Sequence, residues 1–253
     1  MALSRFSSIH RPADRISKRR VVIALGGTVT SATINGNVSI GTANGSPFST
    51  SVNSYTMASQ PVNPPYNYIS VPGGSGFAFG TGDYTVEWFQ YVITSTTNQR
   101  AFWYGTGPSV GVSIEGTSTS KTFYAWPGAS AQGSTFNMAV GSWQHFALVR
   151  ISGRTYFYKD GICNNVGGTV NSTNITDTTS TFYFGYRAGS NIQSEQFVGS
   201  MTNLRVVKGL GVYTGNFTVP TSPLTAVAGS NPYGGANTAA IASAGMTTLL
   251  LNP

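Results

Sequence analysis

Residues Gly199–Leu224 read GSMTNLRVVKGLGVYTGNFTVPTSPL, and this stretch decides the fold class. GSMTNLRVV is a strand-like run rich in β-branched and apolar residues. KGLG supplies a glycine turn, VYTGNFTV reads as a second, aromatic strand, and Pro220 and Pro223 bound the exit. Nothing in it looks catalytic. It predicts an all-β domain built from short antiparallel strands.

The same pattern extends outward in both directions. Upstream lie YNYISV from Tyr66, DYTVEWFQYVIT, RAFWYG, SVGVSIEG, KTFYAW, WQHFALVRI, RTYFYKD and TFYFGY. Ser152-Gly153 is a two-residue hairpin signal, and Asp160-Gly161 marks another turn. No long segment repeats its apolar residues at the helical period. In DYTVEWFQYV, Tyr84, Val86, Trp88 and Val92 share one face, and Thr85, Glu87, Phe89 and Tyr91 share the other. In WQHFALVRI both parities also carry apolar residues. Such strands belong inside a two-sheet sandwich, with the second face partly covered. The expected architecture is an antiparallel two-sheet jelly-roll sandwich.

Four regions follow. Residues 1–20 form a basic arm, with a short helical turn around Pro12–Lys18. Residues 21–65 hold short strands (VVIAL, TVTSATI, NVSI) and a linker containing Pro61, Pro64 and Pro65. They read as a β extension before the main domain, or as a strand-exchanging arm of it. Residues 66–224 are the sandwich. Residues 225–253 are a Gly/Ala-rich tail ending in MTTLLLNP, an apolar strand that must pack somewhere.

Charge separates these regions. The chain of 253 residues is 40% hydrophobic but only 8% charged, against roughly 25% in average soluble domains. Its net charge is +7. Arg5, Arg11, Arg15, Lys18, Arg19 and Arg20 against Asp14 give 6 − 1 = +5 for the arm, and the rest carries 8 − 6 = +2. A basic arm on a nearly neutral body binds phosphates or acidic protein surfaces, or simply solubilises. The expectation here is docking on a neighbouring protein subunit rather than on nucleic acid.

Catalytic and metal chemistries find little support. Cys163 is the one cysteine, so no intrachain disulfide forms. His10 and His145 lie far apart and make no zinc site with it. No phosphate-binding or dinucleotide fingerprint is present, and no cofactor is expected. No apolar run reaches the length of a membrane span. Val21–Leu25, broken by Gly26 and Gly27, is too short for a secretory leader. The sequons at Asn37, Asn171, Asn174 and Asn216 then follow from an Asn/Thr-rich composition.

The carboxylates of the body are Asp83, Glu87, Glu115, Asp160, Asp177 and Glu195. Asp83 and Glu87 share the parity a glycosidase pair would need, but Asp83 sits in a turn and Thr85 between them is not acidic. His145, flanked by apolar neighbours, is expected in the core.

The aromatics are the remaining candidates. Trp103 and Tyr104 in RAFWYG, and Tyr124 and Trp126 in KTFYAW, suit either a glycan-stacking platform or a core and subunit interface. Arg100, Arg187 and Arg205 are available to flank such a surface.

Three phrases together resemble a known group: FAFGTGDYTVEWFQY, GSWQHFALVRISGRTYFYKDG and VGSMTNLRVVKGLGVYTGNFTVPTSPL. They are similar to concanavalin A-like, laminin-G-like jelly rolls over residues 66–224. The wording VEWFQY and FTVPTSPL resembles domains of virion structural proteins of bacteriophages and some large algal viruses. The resemblance implies a non-enzymatic virion structural protein, a capsid or tail decoration or attachment subunit present as a homo-oligomer. The arm would dock on other virion proteins and the sandwich would face outward. The alternatives are a carbohydrate-binding adhesin or tail-fibre lectin that recognises host-surface glycans, and, third, a glycoside hydrolase. Many relatives bind calcium with Asp-rich loops; the loops here carry Asn, Ser and Thr instead, and that departure leaves calcium binding an open question.

Overall fold

The computed structural model describes residues 20–25, 28–58, 66–93, 99–105, 110–116, 121–126, 132–136, 138–187 and 196–253. Residues 1–19, which hold the arm and its expected helical turn, lie outside this set, as does the proline linker. So do the side chains of residues 20–30, 112–116, 121–126 and 132–136.

The first strands are β1 (Arg20–Leu25), β2 (Thr28–Asn35), β3 (Val38–Gly41), β4 (Ser54–Met57) and β5 (Tyr68–Val71). The middle of the chain forms β6 (Tyr84–Val92), β7 (Gln99–Tyr104), β8 (Val110–Gly116), β9 (Lys121–Trp126) and β10 (Gln132–Phe136). Then come β11 (Trp143–Ile151), β12 (Arg154–Lys159), β13 (Ile162–Cys163), β14 (Thr169–Val170) and β15 (Phe182–Phe184). The last two are β16 (Gly199–Lys208) and β17 (Thr247–Leu251). Only short 3₁₀ turns accompany them among the described residues.

These strands make two antiparallel sheets, as a jelly-roll sandwich requires. The front sheet has eight strands in the order β1-β2-β5-β15-β7-β8-β9-β10. The back sheet has nine: β13-β12-β11-β6-β16-β4-β3, with β14 also on β12 and β17 also on β16. The main core lies between them. Tyr84, Val86, Trp88 and Val92 of β6 face Phe102 and Tyr104 of β7 and Phe182 and Phe184 of β15 there. Trp88 meets Phe102 edge-on at 5.4 Å and stacks on Phe146 at 5.6 Å. Burying each such ring contributes about 1.5–3 kcal/mol.

The other face of the back sheet is covered as well, which explains the doubly apolar strands. Ala147, Val149, Tyr158 and Val207 pack beneath Val212, Tyr213, Phe217 and Ile241 in a second cluster. The cover is the second half of the opening stretch, and here the structure corrects the reading. VYTGNFTV is not a strand: beyond β16 it makes only an isolated bridge, Tyr213 to Thr238. It crosses the sheet as an extended loop, with the Tyr213 and Phe217 rings stacked at 3.6 Å. Gly209, at φ 80°, turns the chain out of β16.

The regional boundaries also need correction. The segment expected as a β extension is built into both sheets. β2 pairs with β5 (Ile34 opposite Ile69), and β4 pairs with β16 (Met57 opposite Gly199). The terminal strand of the tail pairs with the other part of that edge, Leu251 opposite Leu204, and buries Leu249 and Leu251 in the main core. These strands gain hydrogen bonds and apolar cover only by joining the sheets, so boundaries at residues 66 and 224 cut through the core.

Candidate functional site

The outward face of the front sheet gathers tyrosines from two stretches of the chain and a tryptophan from a third. Ile69, Val71, Phe182, Phe184 and Phe102 point into the core. By alternation, Tyr68, Ser70, Tyr183 and Trp103 point away from it. Register aligns them: Tyr68 lies opposite Asn35, Tyr183 opposite Ser70 on one side and opposite Trp103 on the other. Tyr66 and Tyr186, just beyond β5 and β15, complete the group.

The tyrosine rings contact one another directly. Tyr186 stacks on Tyr68 at 4.9 Å and on Tyr66 at 5.6 Å, while Tyr183 meets Tyr68 and Tyr186 edge-on at 5.6 and 5.8 Å. All four are half-buried, so part of each reaches solvent. Burial, and then the neighbouring Tyr183, raises the Tyr68 hydroxyl pKa and keeps it a neutral donor. Beside them Asn35 Nδ2 donates to Ser70 Oγ at 3.0 Å.

Trp103 borders this group. Its ring lies over Gly111, where a built Cβ would fall 2.4 Å from the ring, so a side chain there would displace the indole. Its Nε1 donates to the Gly105 carbonyl at 3.1 Å. The Arg187 guanidinium sits 4.5 Å from the Trp103 ring centroid and that of Arg100 lies 5.8 Å away. A bulge between Arg100 and Phe102 turns Arg100 to the same face as Trp103. Aromatic planes, phenol hydroxyls, an amide and guanidinium groups can stack on and hydrogen-bond a polyhydroxylated ring.

The aromatics expected from sequence divide. Trp103 belongs to this face, though only 6% exposed. Tyr104 does not: it is fully buried in the core, its hydroxyl donates to the Asp177 carbonyl, and burial followed by Asp177 pushes its pKa up to about 12. Adjacent residues on a strand point to opposite faces, so both could not have served one platform. Tyr124 and Trp126 have side chains outside the described set. Their backbones sit opposite Ser113 and Gly111, in the same cross-strand rows as Arg100 and Trp103. Arg5, Arg11, Arg15, Lys18 and Arg19 lie outside the described residues, and Arg20 opens β1. Tyr66, Tyr68, Tyr183 and Tyr186 were missed. The spacing Tyr66-x-Tyr68 against core Ile69 and Val71 was the available signal.

Arg205 does not flank the aromatics either. It is buried on the far side of the back sheet, where Nε donates to Glu87 Oε1 at 2.8 Å and Nη1 to the Thr225 carbonyl at 2.8 Å. The other Glu87 oxygen accepts from the Tyr213 hydroxyl at 2.6 Å and lies 3.1 Å from His145 Nε2. Burial alone would raise the Glu87 carboxyl, but Arg205, then His145 and Tyr213, outweigh it and hold the pKa at about 2. Asp83 accepts from the Ser152 amide at 2.8 Å, bracing the β11–β12 hairpin. Among the described residues, no group of three or more His, Cys, Asp or Glu is placed to hold a metal ion.

Comparison with known proteins adds the family context. The family model of the concanavalin A-like lectin/glucanases superfamily matches residues 63–210, more than half of the chain. β1–β4, β17 and the outer cover lie outside the match. No curated protein sequence matches the chain. Among solved structures, it is similar to domain 4 of AbnA, a GH43 extracellular arabinanase from Geobacillus stearothermophilus in complex with arabinotriose. Identity is 16%, 70% of this chain and 82% of that one are covered, and the TM-score is 0.50. The SAP-like pentraxin of Limulus polyphemus shows 16% identity over 56% of this chain and 68% of its own, with a TM-score of 0.43. Trypanosoma rangeli sialidase shows 13% over 72% of this chain and 28% of its own, with a TM-score of 0.49. At these identities the likeness is one of fold.

Proposed function

This chain belongs to the concanavalin A-like lectin/glucanases superfamily, and from that premise we propose that it is a non-catalytic carbohydrate-binding module. Its ligand stacks on the tyrosine face of the front sheet. The observation that carries this reading is the contact of Tyr66, Tyr68, Tyr183 and Tyr186, half-exposed on one side of a sheet whose core requirements are met from the other. Aromatic side chains are costly to leave in water unless they are used, and phenols offer both a stacking plane and a hydrogen bond. The arabinotriose bound to the arabinanase domain supports a saccharide as the kind of ligand.

A non-enzymatic role is supported by the fate of the two carboxylates considered for a glycosidase. Glu87 is fully buried with three partners, and Asp83 is spent on a turn amide. The setting we propose is a virus particle, with several copies held by the basic arm and the tyrosine face turned to host glycans. The phrases VEWFQY and FTVPTSPL support that setting. Deleting residues 1–20 is expected to abolish incorporation into particles; normal incorporation removes the arm from the proposal.

A glycan array with the full chain, followed by calorimetry on the best binder, tests the central claim. Saccharide binding that drops at least tenfold in both Tyr68→Ala and Tyr186→Ala is expected. Binding that survives both substitutions, or no saccharide bound by the unaltered chain, overturns it.

A further inference from the structure

Among the described residues two guanidinium groups flank this face: Arg100, only 3% exposed, and Arg187, which reaches solvent. The Arg187 guanidinium lies over the Trp103 ring at 4.5 Å and the residue is half-buried. An arginine held on an aromatic face keeps its planar fork of N–H donors free for an anion. The four carboxylates whose side chains are described are all committed elsewhere. Asp83 is on the Ser152 amide, Glu87 in the buried cluster, Asp160 on Lys159 and the His145 amide, and Asp177 on the amides of Thr179 and Ser180. Among the described residues, Arg187 therefore has an aromatic partner and no anionic one.

We propose that Arg187 recognises an anionic group, a carboxylate or a sulfate, on the saccharide that stacks against the neighbouring tyrosines. This rests on the carbohydrate reading above and names the ligand as an acidic glycan. Trp103 positions the guanidinium and removes part of its hydration, so less is lost when an anion replaces water. The Tyr68 hydroxyl stays protonated and offers a donor rather than a competing charge. The sugar plane and the anion would then engage adjacent parts of one face, the tyrosine group and the Arg187–Trp103 pair.

The test uses the full chain and three oligosaccharides of equal length: neutral galactose, galacturonate and O-sulfated galactose oligomers. Calorimetry at low and physiological salt is expected to show at least one acidic oligomer bound tenfold or more tighter than the neutral one. That preference should shrink as salt rises. The uronate and sulfate arms identify which anion is read. Arg187→Gln should bring the acidic-to-neutral ratio close to one, and Arg187→Lys, which keeps charge without the fork, should retain only part of it. A wild-type ratio near one, or a ratio that Arg187→Gln leaves intact, overturns the proposal while the carbohydrate reading stands. Failure of all three oligomers and of the wider array removes both.

Discussion

Glu87 on β6 and Arg205 on β16 are direct cross-strand partners, joined at 2.6 Å with their side chains 0% and 3% exposed. The pair lies beneath the outer cover; besides His145 of β11, its further bonds reach Tyr213 and the Thr225 carbonyl, both in that cover. It thus ties the irregular 209–241 segment to two adjacent strands of the back sheet.

Removing one partner should cost far more than removing both. Glu87→Gln leaves a buried guanidinium without its counter-charge, for about 3–5 kcal/mol of destabilisation. Replacing Glu87 and Arg205 together by methionine should recover much of that loss. Urea unfolding of Glu87→Met, Arg205→Met and the double variant measures the difference; additive losses would refute the coupling.

Acid should unfold the protein through this carboxyl. Its folded pKa of about 2 lies below the ordinary value of 4.5, so the unfolded chain binds its proton more readily. The stabilisation is complete above about pH 4.5 and is lost as pH falls towards 2, amounting to about 3 kcal/mol for one such group. Asp177, also held at about 2, first by its hydrogen bond from the Ser180 side chain, titrates in the same window. Urea midpoints between pH 6 and 2 should therefore fall less steeply in Glu87→Gln, with a residual slope that Asp177→Asn removes.

Arg150 should prove an anchor for loops rather than a surface charge. It is 1% exposed, and its guanidinium donates to the carbonyls of Gly80, Thr173 and Asn171 at 3.3, 2.7 and 2.8 Å. Arg150→Met takes this donor from the buried Asn171 carbonyl and the half-buried Thr173 carbonyl, at about 1–3 kcal/mol for each one left dry, while the Gly80 carbonyl keeps its bond from the Ile175 amide. Hydrogen exchange should report faster opening at the amides of Gly80 and Ile175, each of which donates to the other's carbonyl across this junction. Unchanged protection there would refute the anchor.

Gly111→Ala should disturb the tyrosine face without touching the main core. The added carbon meets the Trp103 ring at 2.4 Å, and displacing a packed indole costs about 1–3 kcal/mol. A shifted tryptophan emission and weaker saccharide binding are expected together. A native spectrum would show that the ring is not held there.

Much of this was legible before any tertiary contact was known. The alternation in DYTVEWFQYV assigns Trp88 and Val86 to the main core, and the apolar residues on both parities of WQHFALVRI announce a covered second face; both assignments hold. His145, expected in the core, is buried against Glu87. VYTGNFTV misled because Val, Tyr and Phe favour any half-buried extended backbone, laddered or not. Tyr104 misled because composition weights neighbouring aromatics alike, whereas the pleat sends Trp103 and Tyr104 to opposite sides.

The linear chain by itself determined the class of this protein: β-period alternation, glycine and Asp-Gly turns, and a core supply of aromatics leave a two-sheet sandwich as the way to bury them. Those signals are local, set within a few residues by backbone geometry. What the tertiary structure alone decided is which distant segments become neighbours. Tyr66 and Tyr68 meet Tyr183 and Tyr186 because β5 pairs with β15, and Glu87 meets Arg205 because β6 pairs with β16. Strand order and register follow from the packing of the whole core, and no short window of sequence contains them.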